Sequence, residues 1–146
     1  KGRYLWRDLQ RETRRLGVPW RRPTRFPFNS ALATKTATWI EPDERLPLYC
    51  RAVFRAGFAE RRDPATPSVV SACLRAAGLD DSALERARAE DGGRRLRADV
   101  HRARELDIFG APSFVVDGEL FWGNERLASA LERAWISPTQ DCRSPP

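Results

Sequence analysis

The chain has 146 residues, 41% of them apolar, enough for a domain with a core of its own. Its net charge of +6 comes from 24 arginines against two lysines, Lys1 and Lys35, and the arginines are scattered along the chain. That scatter argues against a nucleic-acid surface, which needs clustered basic and aromatic residues, and no run approaches the roughly 18 apolar residues of a membrane span.

Residues 2–16 form an amphipathic helix, with Leu5, Leu9 and Leu16 on one face, arginines outside and Gly17 as its stop. Residues 18–29 contain three prolines and three aromatics, which excludes helix and predicts an extended, partly rigid loop. Residues 30–38 make a short helix. Pro42-Asp43 opens another, with Tyr49, Ala52, Val53 and Ala56 recurring at helical spacing. Thr66-Pro67 reads as an N-cap with proline at the first helical position, and that helix ends at Gly78. Asp80 or Asp81 caps the next helix, to about Glu90. Gly92-Gly93 interrupt, and residues 94–106 are helical again with Leu96, Val100 and Ala103 inward.

The last segment is the most informative. Phe114-Val115-Val116 and Leu120-Phe121-Trp122 flank Asp117-Gly118, a strong two-residue hairpin signal. Gly123 then breaks the strand, and Asn124 stands where an N-cap belongs, ahead of Leu127, Ala130, Leu131 and Ala134. A strand end is thereby delivered into a helix N-terminus, where unpaired N–H groups and the positive dipole end favour an anion, with the Glu125 carboxylate beside it. Residues 138–146, rich in proline and serine, read as a disordered tail.

Cys50, Cys73 and Cys142 form no Cys-x-x-Cys pair and no metal-ligand spacing, so neither a redox dithiol nor a metal site is expected. Cys73 falls on an apolar helical face with Val69, Val70 and Ala77. His101, the only histidine, lies among Asp99, Arg102 and Arg104 with no catalytic constellation around it.

The Gly-Ala-Pro-Ser-Phe turn at 110–114, the hairpin, and the Phe-Trp-Gly-Asn-Glu-Arg-Leu run at 121–127 together resemble the C-terminal end of the 2-hydroxychromene-2-carboxylate isomerase family. Those enzymes are relatives of kappa-class glutathione transferases and of DsbA. Lys1-Gly-Arg-Tyr4, opening the first helix, is similar to the family's Lys-x-x-Tyr element. The resemblance implies an α/β, thioredoxin-like fold with a helical insertion domain: residues 1–106 supply the preceding helix and the insertion, and 107–136 the C-terminal ββα half. It also implies that an N-terminal strand–helix–strand unit, carrying a serine or in DsbA relatives a Cys-x-x-Cys, lies before residue 1. The absence of any methionine agrees with an N-terminally truncated chain, inactive on its own.

Implied, too, is a reaction: the glutathione-dependent isomerisation of 2-hydroxychromene-2-carboxylate to a hydroxybenzylidene-pyruvate in aromatic-compound breakdown. A glutathione thiolate would add reversibly to the conjugated substrate and permit bond rotation before leaving. Pro112 matches the cis-proline of thioredoxin-like proteins, so the backbone of Ala111 would pair with the cysteinyl amide of glutathione. Asn124 and Glu125 would receive the γ-glutamyl end, or serve only as cap and dipole partner; kappa-class enzymes have Ser-Asp there, an acid one methylene shorter. Lys1 would hold a carboxylate and Tyr4 donate a hydrogen bond. Trp20, Phe26, Phe28 and Asn29 would wall an aromatic-substrate pocket or anchor their loop. The expected protein is a cytoplasmic homodimer with a small aromatic carboxylate as partner and neither membrane nor nucleic acid. The alternatives are a DsbA-like disulfide oxidoreductase, a kappa-type transferase and an inactive interaction module.

Overall fold

The computed structural model describes residues 2–40, 43–89 and 91–136, in two compact units that divide between Leu96 and Arg97. Lys1, Pro42, Cys142 and the expected tail at 138–146 lie outside the described residues.

The first unit is helical: α1 (Gly2–Arg15), α2 (Ala31–Ile40), α3 (Leu46–Phe58), α4 (Pro67–Ala76), α5 (Ser82–Arg88) and the first turn of α6 (Arg94–Glu105). Gly17, at φ +65, ends α1, and the Val18 N–H reaches back to the Thr13 carbonyl at 2.8 Å. The core lies where α2 packs on α3 and α5, and α3 on α4, and it is built of small side chains around Tyr49, Val70 and Leu74. Such residues let helices approach closely but leave little tolerance for added volume. Tyr49 donates its hydroxyl to the Ala33 carbonyl at 3.0 Å, which satisfies the one polar atom it buries. Burial pushes its phenol above the ordinary range.

Local chemistry places the helix starts. Asn29 accepts from the Ala31 N–H at 2.9 Å and so begins α2. Asp43 does not open α3 as the sequence suggests. Its carboxylate accepts both the backbone N–H of Arg45, at 2.8 Å, and that residue's guanidinium, which turns the chain there and delays the helix to Leu46. Asp80 likewise accepts from the Ser82 N–H at 3.0 Å, while Asp81, at the cap position of α5, accepts the Ser71 hydroxyl on Oδ2 at 2.8 Å and makes no side-chain cap bond. At the far end of α2, Trp39 donates to the Gly92 carbonyl at 2.9 Å. A Cβ on Gly92 would run into the carbonyl oxygen of Ala87, so this turn needs glycine. In α6, Leu96 and Ala103 are half-buried but Val100 is exposed, contrary to its expected inward position; the helix is dominated by arginine and buries no residue.

The second unit holds the rest of α6, the antiparallel pair β1 (Ser113–Val116) and β2 (Glu119–Trp122), one turn of 3₁₀ helix (Asn124–Arg126) and α7 (Leu127–Ile136). Ser113 faces Trp122 and Val116 faces Glu119. Asp117 and Gly118, at φ +50 and +77, form the left-handed two-residue turn expected of Asp-Gly. α7 packs on β1, and Ala130 is its buried residue. Phe109, Trp122 and Trp135 are exposed. No helix among the described residues is long and apolar enough to cross a membrane.

Candidate functional site

The ββα junction is built chiefly from backbone. Ala111–Pro112 is a cis peptide, as the Gly-Ala-Pro-Ser turn implies. Two hydrogen bonds hold that turn: Ser113 donates its hydroxyl to the Gly110 carbonyl at 2.6 Å, and the Gly123 N–H donates to the Pro112 carbonyl at 3.0 Å. The second bond ties the turn to the start of the C-terminal helix. Ala111 is exposed, and its N–H and C=O have no hydrogen-bond partner among the described residues. Trp122 lies over Gly110, where a Cβ would come 2.5 Å from its indole nitrogen, and meets Phe109 at a tilt of 56°, ring centres 5.1 Å apart.

Asn124 is not the N-cap. Gly123 takes the position before the helical turn, at φ +108, and Asn124 is the first residue of the 3₁₀ turn, with an exposed side chain. The reason is conformational: leaving β2 toward α7 requires a backbone geometry open only to glycine, so the non-helical boundary residue falls one place earlier. Glu125 folds its carboxylate back over Gly123, into the space a Cβ there would occupy, 2.5 Å from the ideal Cβ position. The exposed backbone of Ala111, the Gly123 link and an exposed carboxylate therefore adjoin one another within a single unit. Sequence reasoning missed Ser113 and Gly110 as the pair that fixes this turn; the Gly-x-Pro-Ser spacing was their signal.

The candidates of the first unit do not form one pocket. Tyr4 is 65% exposed, with the Arg11 guanidinium 5.5 Å from its ring centre. Trp20 faces Trp6 at 6.3 Å, and two residues of helix put Trp6 about 200° around α1 from Tyr4. Trp20 borders a hollow of about 390 Å³ with Trp6 and Arg22. Phe28 meets Phe58 at 5.2 Å and Phe26 at 6.1 Å, and Phe26 in turn meets Trp6 at 5.0 Å, so Trp20 and Phe28 belong to one continuous run of ring contacts. The Asn29 side chain is engaged with the Ala31 N–H at the start of α2. Lys1 lies outside the described residues.

Cys73 occupies the core position its apolar helical face predicts. Cys73 is buried, and burial raises its thiol pKa; Cys50 is half-buried. His101 faces Glu105 at 3.4 Å on the exposed side of α6. No group of three metal-ligating side chains occurs among the described residues.

Helices followed by a cis-proline turn, a hairpin and a helix define a class, and the chain belongs to the family of DSBA-like thioredoxin domains, whose model matches residues 1–133. Within that class it is similar to 2-hydroxychromene-2-carboxylate isomerases. It is 29% identical over 125 residues to the enzyme of that name from Pseudomonas putida, covering 85% of this chain and 61% of that one. To the enzyme of that name from Sphingobium xenophagum it is 27% identical over 128 residues, covering 87% and 65%. A solved structure of selenomethionine 2-hydroxychromene-2-carboxylate isomerase superposes with a TM-score of 0.74 at 30% identity, over 90% of this chain and 64% of that one. The chain thus spans less than two thirds of the length of these relatives.

Proposed function

We propose that the protein is a 2-hydroxychromene-2-carboxylate isomerase that works with glutathione, and that residues 107–136 hold part of the glutathione. The observation that carries this reading is the exposed backbone of Ala111 beside a cis-proline turn, in a chain whose relatives bear that enzyme's name over nearly its whole length. A peptide-like ligand needs a backbone strip with free donor and acceptor groups, and Ala111 offers one of each. Its γ-glutamyl end carries an ammonium and a carboxylate, and the junction offers the Glu125 carboxylate and the first N–H groups of the helical turn.

When bound, glutathione supplies the thiolate nucleophile. The chain's part is to bind and orient: Ala111 aligns the cysteinyl amide, Glu125 pairs with the ammonium, and Asn124 presents its side chain at the same helix start. Tyr4 is a hydrogen-bond donor and Lys1 a carboxylate partner for either ligand, and Trp20, Phe28 and Asn29 belong to the loop that meets the aromatic substrate. The homodimer and the cytoplasmic location belong to the same proposal.

Glu125→Gln is expected to weaken glutathione binding by about 1.5–3 kcal/mol, the scale of one hydrogen bond to a charged group. Titration calorimetry measures it, and an unchanged affinity would leave Glu125 a helix-start residue only. Turnover of 2-hydroxychromene-2-carboxylate by the whole protein, with and without glutathione, tests the reaction itself; turnover independent of glutathione would remove the cofactor from the account.

A further inference from the structure

We propose that the hollow beside the first half of α1 binds a phosphate dianion, free or carried on a small phosphomonoester. The hollow holds about 390 Å³ and is bordered by Arg3, Trp6, Arg7 and Gln10 of α1 and by Trp20 and Arg22 of the proline-rich loop. The inference stands on this geometry and does not depend on the isomerase reading.

Charge is the first observation. Arg3 and Arg7 stand about one helical turn apart and Gln10 follows on the same side, so the three fall within about 60° around α1. Like charges at that spacing repel each other, and Arg22 adds another from the loop. The two acids of α1 do not offset them. Asp8 pairs with Arg11 at 3.0 Å and Glu12 with Arg15 at 2.8 Å, and both acids lie about 100° or more around the helix from Arg3 and Arg7. Arg3, Arg7 and Arg22 pair with no carboxylate among the described residues, so the hollow carries uncompensated positive charge.

Arg22 is also held ready. Its guanidinium lies over the Trp6 ring, 4.7 Å from the centre, and Trp6 is itself braced edge-on by Phe26 at 5.0 Å and by Trp20 at 6.3 Å. A guanidinium set on a ring uses its flat face for that contact and keeps its N–H edge for an acceptor. The indoles thus form the platform for Arg22 and need not touch the ligand.

Guanidinium groups drawn from two elements suit phosphate better than carboxylate. A carboxylate has two oxygens in one plane and is satisfied by a single arginine fork. A phosphate spreads its oxygens over a tetrahedron and carries up to two negative charges, so it accepts from several arginines at once and relieves more of their repulsion. The Gln10 amide adds a neutral donor at the same rim. Neither glutathione nor a chromene carboxylate carries such a group.

Calorimetric titration of the chain with inorganic phosphate and with glycerol 3-phosphate tests the proposal, with acetate as the carboxylate control. Arg7→Ala and Arg22→Ala each remove one charge of the hollow from an exposed position, and Arg15→Ala removes the same charge from another side of α1. Far-UV circular dichroism verifies that the helices persist in each. The expected result is saturable one-to-one binding of a phosphate ligand, weakened about tenfold or more by Arg7→Ala and by Arg22→Ala, with acetate weaker by a similar factor and Arg15→Ala without effect. Tighter binding of the ester assigns the hollow to a phosphomonoester, and equal or tighter binding of inorganic phosphate assigns it to the free ion. Failure of both phosphates to saturate, acetate binding as tightly as phosphate, unchanged affinity in Arg7→Ala or Arg22→Ala, or an equal loss in Arg15→Ala would overturn it.

Discussion

The two units of this chain are held together in different ways. Through Leu96, the helices are fixed by side chains sunk between them: Val70 and Leu74 are fully buried, and Tyr49, Ala56 and Cys73 nearly so. From Arg97 onward, Ala130 is the buried apolar residue among those described, and the conformation is set instead by backbone positions, with Asp107, Asp117, Gly118 and Gly123 all at positive φ. The contrast explains why the backbone groups proposed for glutathione, those of Ala111 and the helix start after Gly123, fall in the second unit. A site read out by backbone N–H and C=O groups needs a chain whose path is dictated locally, and it leaves those groups exposed where a packed helix would consume them. The first unit, with its backbone spent on helices, offers ligands only its surface side chains and hollows.

The contrast can be broken most severely at Leu74. Leu74→Ala removes a fully buried side chain from the tightest part of the helical core, at an expected loss of about 2–5 kcal/mol in denaturant unfolding. Amide protection in residues 107–136 should change far less than in α2, α3 and α4; equal loss in both would show that one cooperative core serves the whole chain.

Gly123→Ala probes the other mode. The φ of +108 is strained for any residue with a Cβ, and that Cβ would also displace the Glu125 carboxylate, so a local cost of about 1–3 kcal/mol is expected. Hydrogen exchange should quicken at Gly123 and along α7 while the first unit keeps its protection. Exchange unchanged at the junction would mean that backbone conformation does not govern this region.

The smallest expected effect is one of pH in the first unit. The Arg45 side chain and N–H hold the Asp43 carboxyl down at about 2, from an ordinary 3.8. A depressed carboxylate stabilises the fold fully above its unfolded pKa, and that contribution is lost as pH falls from about 3.8 through about 2. Asp43→Asn should therefore flatten the acid limb of the stability curve in that window and leave stability near neutral pH slightly lower. A carboxyl resonance titrating near 3.8 would contradict the pairing.

Much of this architecture was legible in the sequence wherever a single residue type has one job. Gly17 and Gly78 end helices at positive φ, Asp117-Gly118 turns the hairpin, and Pro67 opens α4. What stayed illegible was competition between neighbours. Asp43, Asp80 and Asp81 all carry the chemistry of a cap, but the first two form local turns and the third is claimed by Ser71 at 2.8 Å, a residue ten positions away. Asn124 lost the cap position to Gly123 for a comparable reason, since the strand exit demanded glycine. Trp20, Phe28 and Asn29 are close in sequence and look like one pocket; the two aromatics join one run of ring contacts through Trp6 and Phe26, but the Asn29 side chain is turned to the start of α2.

The central claim is that the cis-proline turn and the glycine-led helix start form one backbone site for glutathione. Titrating glutathione into uniformly ¹⁵N-labelled protein and following every amide tests it most directly. The expected result is saturable shifts concentrated at Ala111, Ser113 and residues 123–126, with a common dissociation constant. Shifts that avoid those amides, or no shift at saturating glutathione, would contradict it.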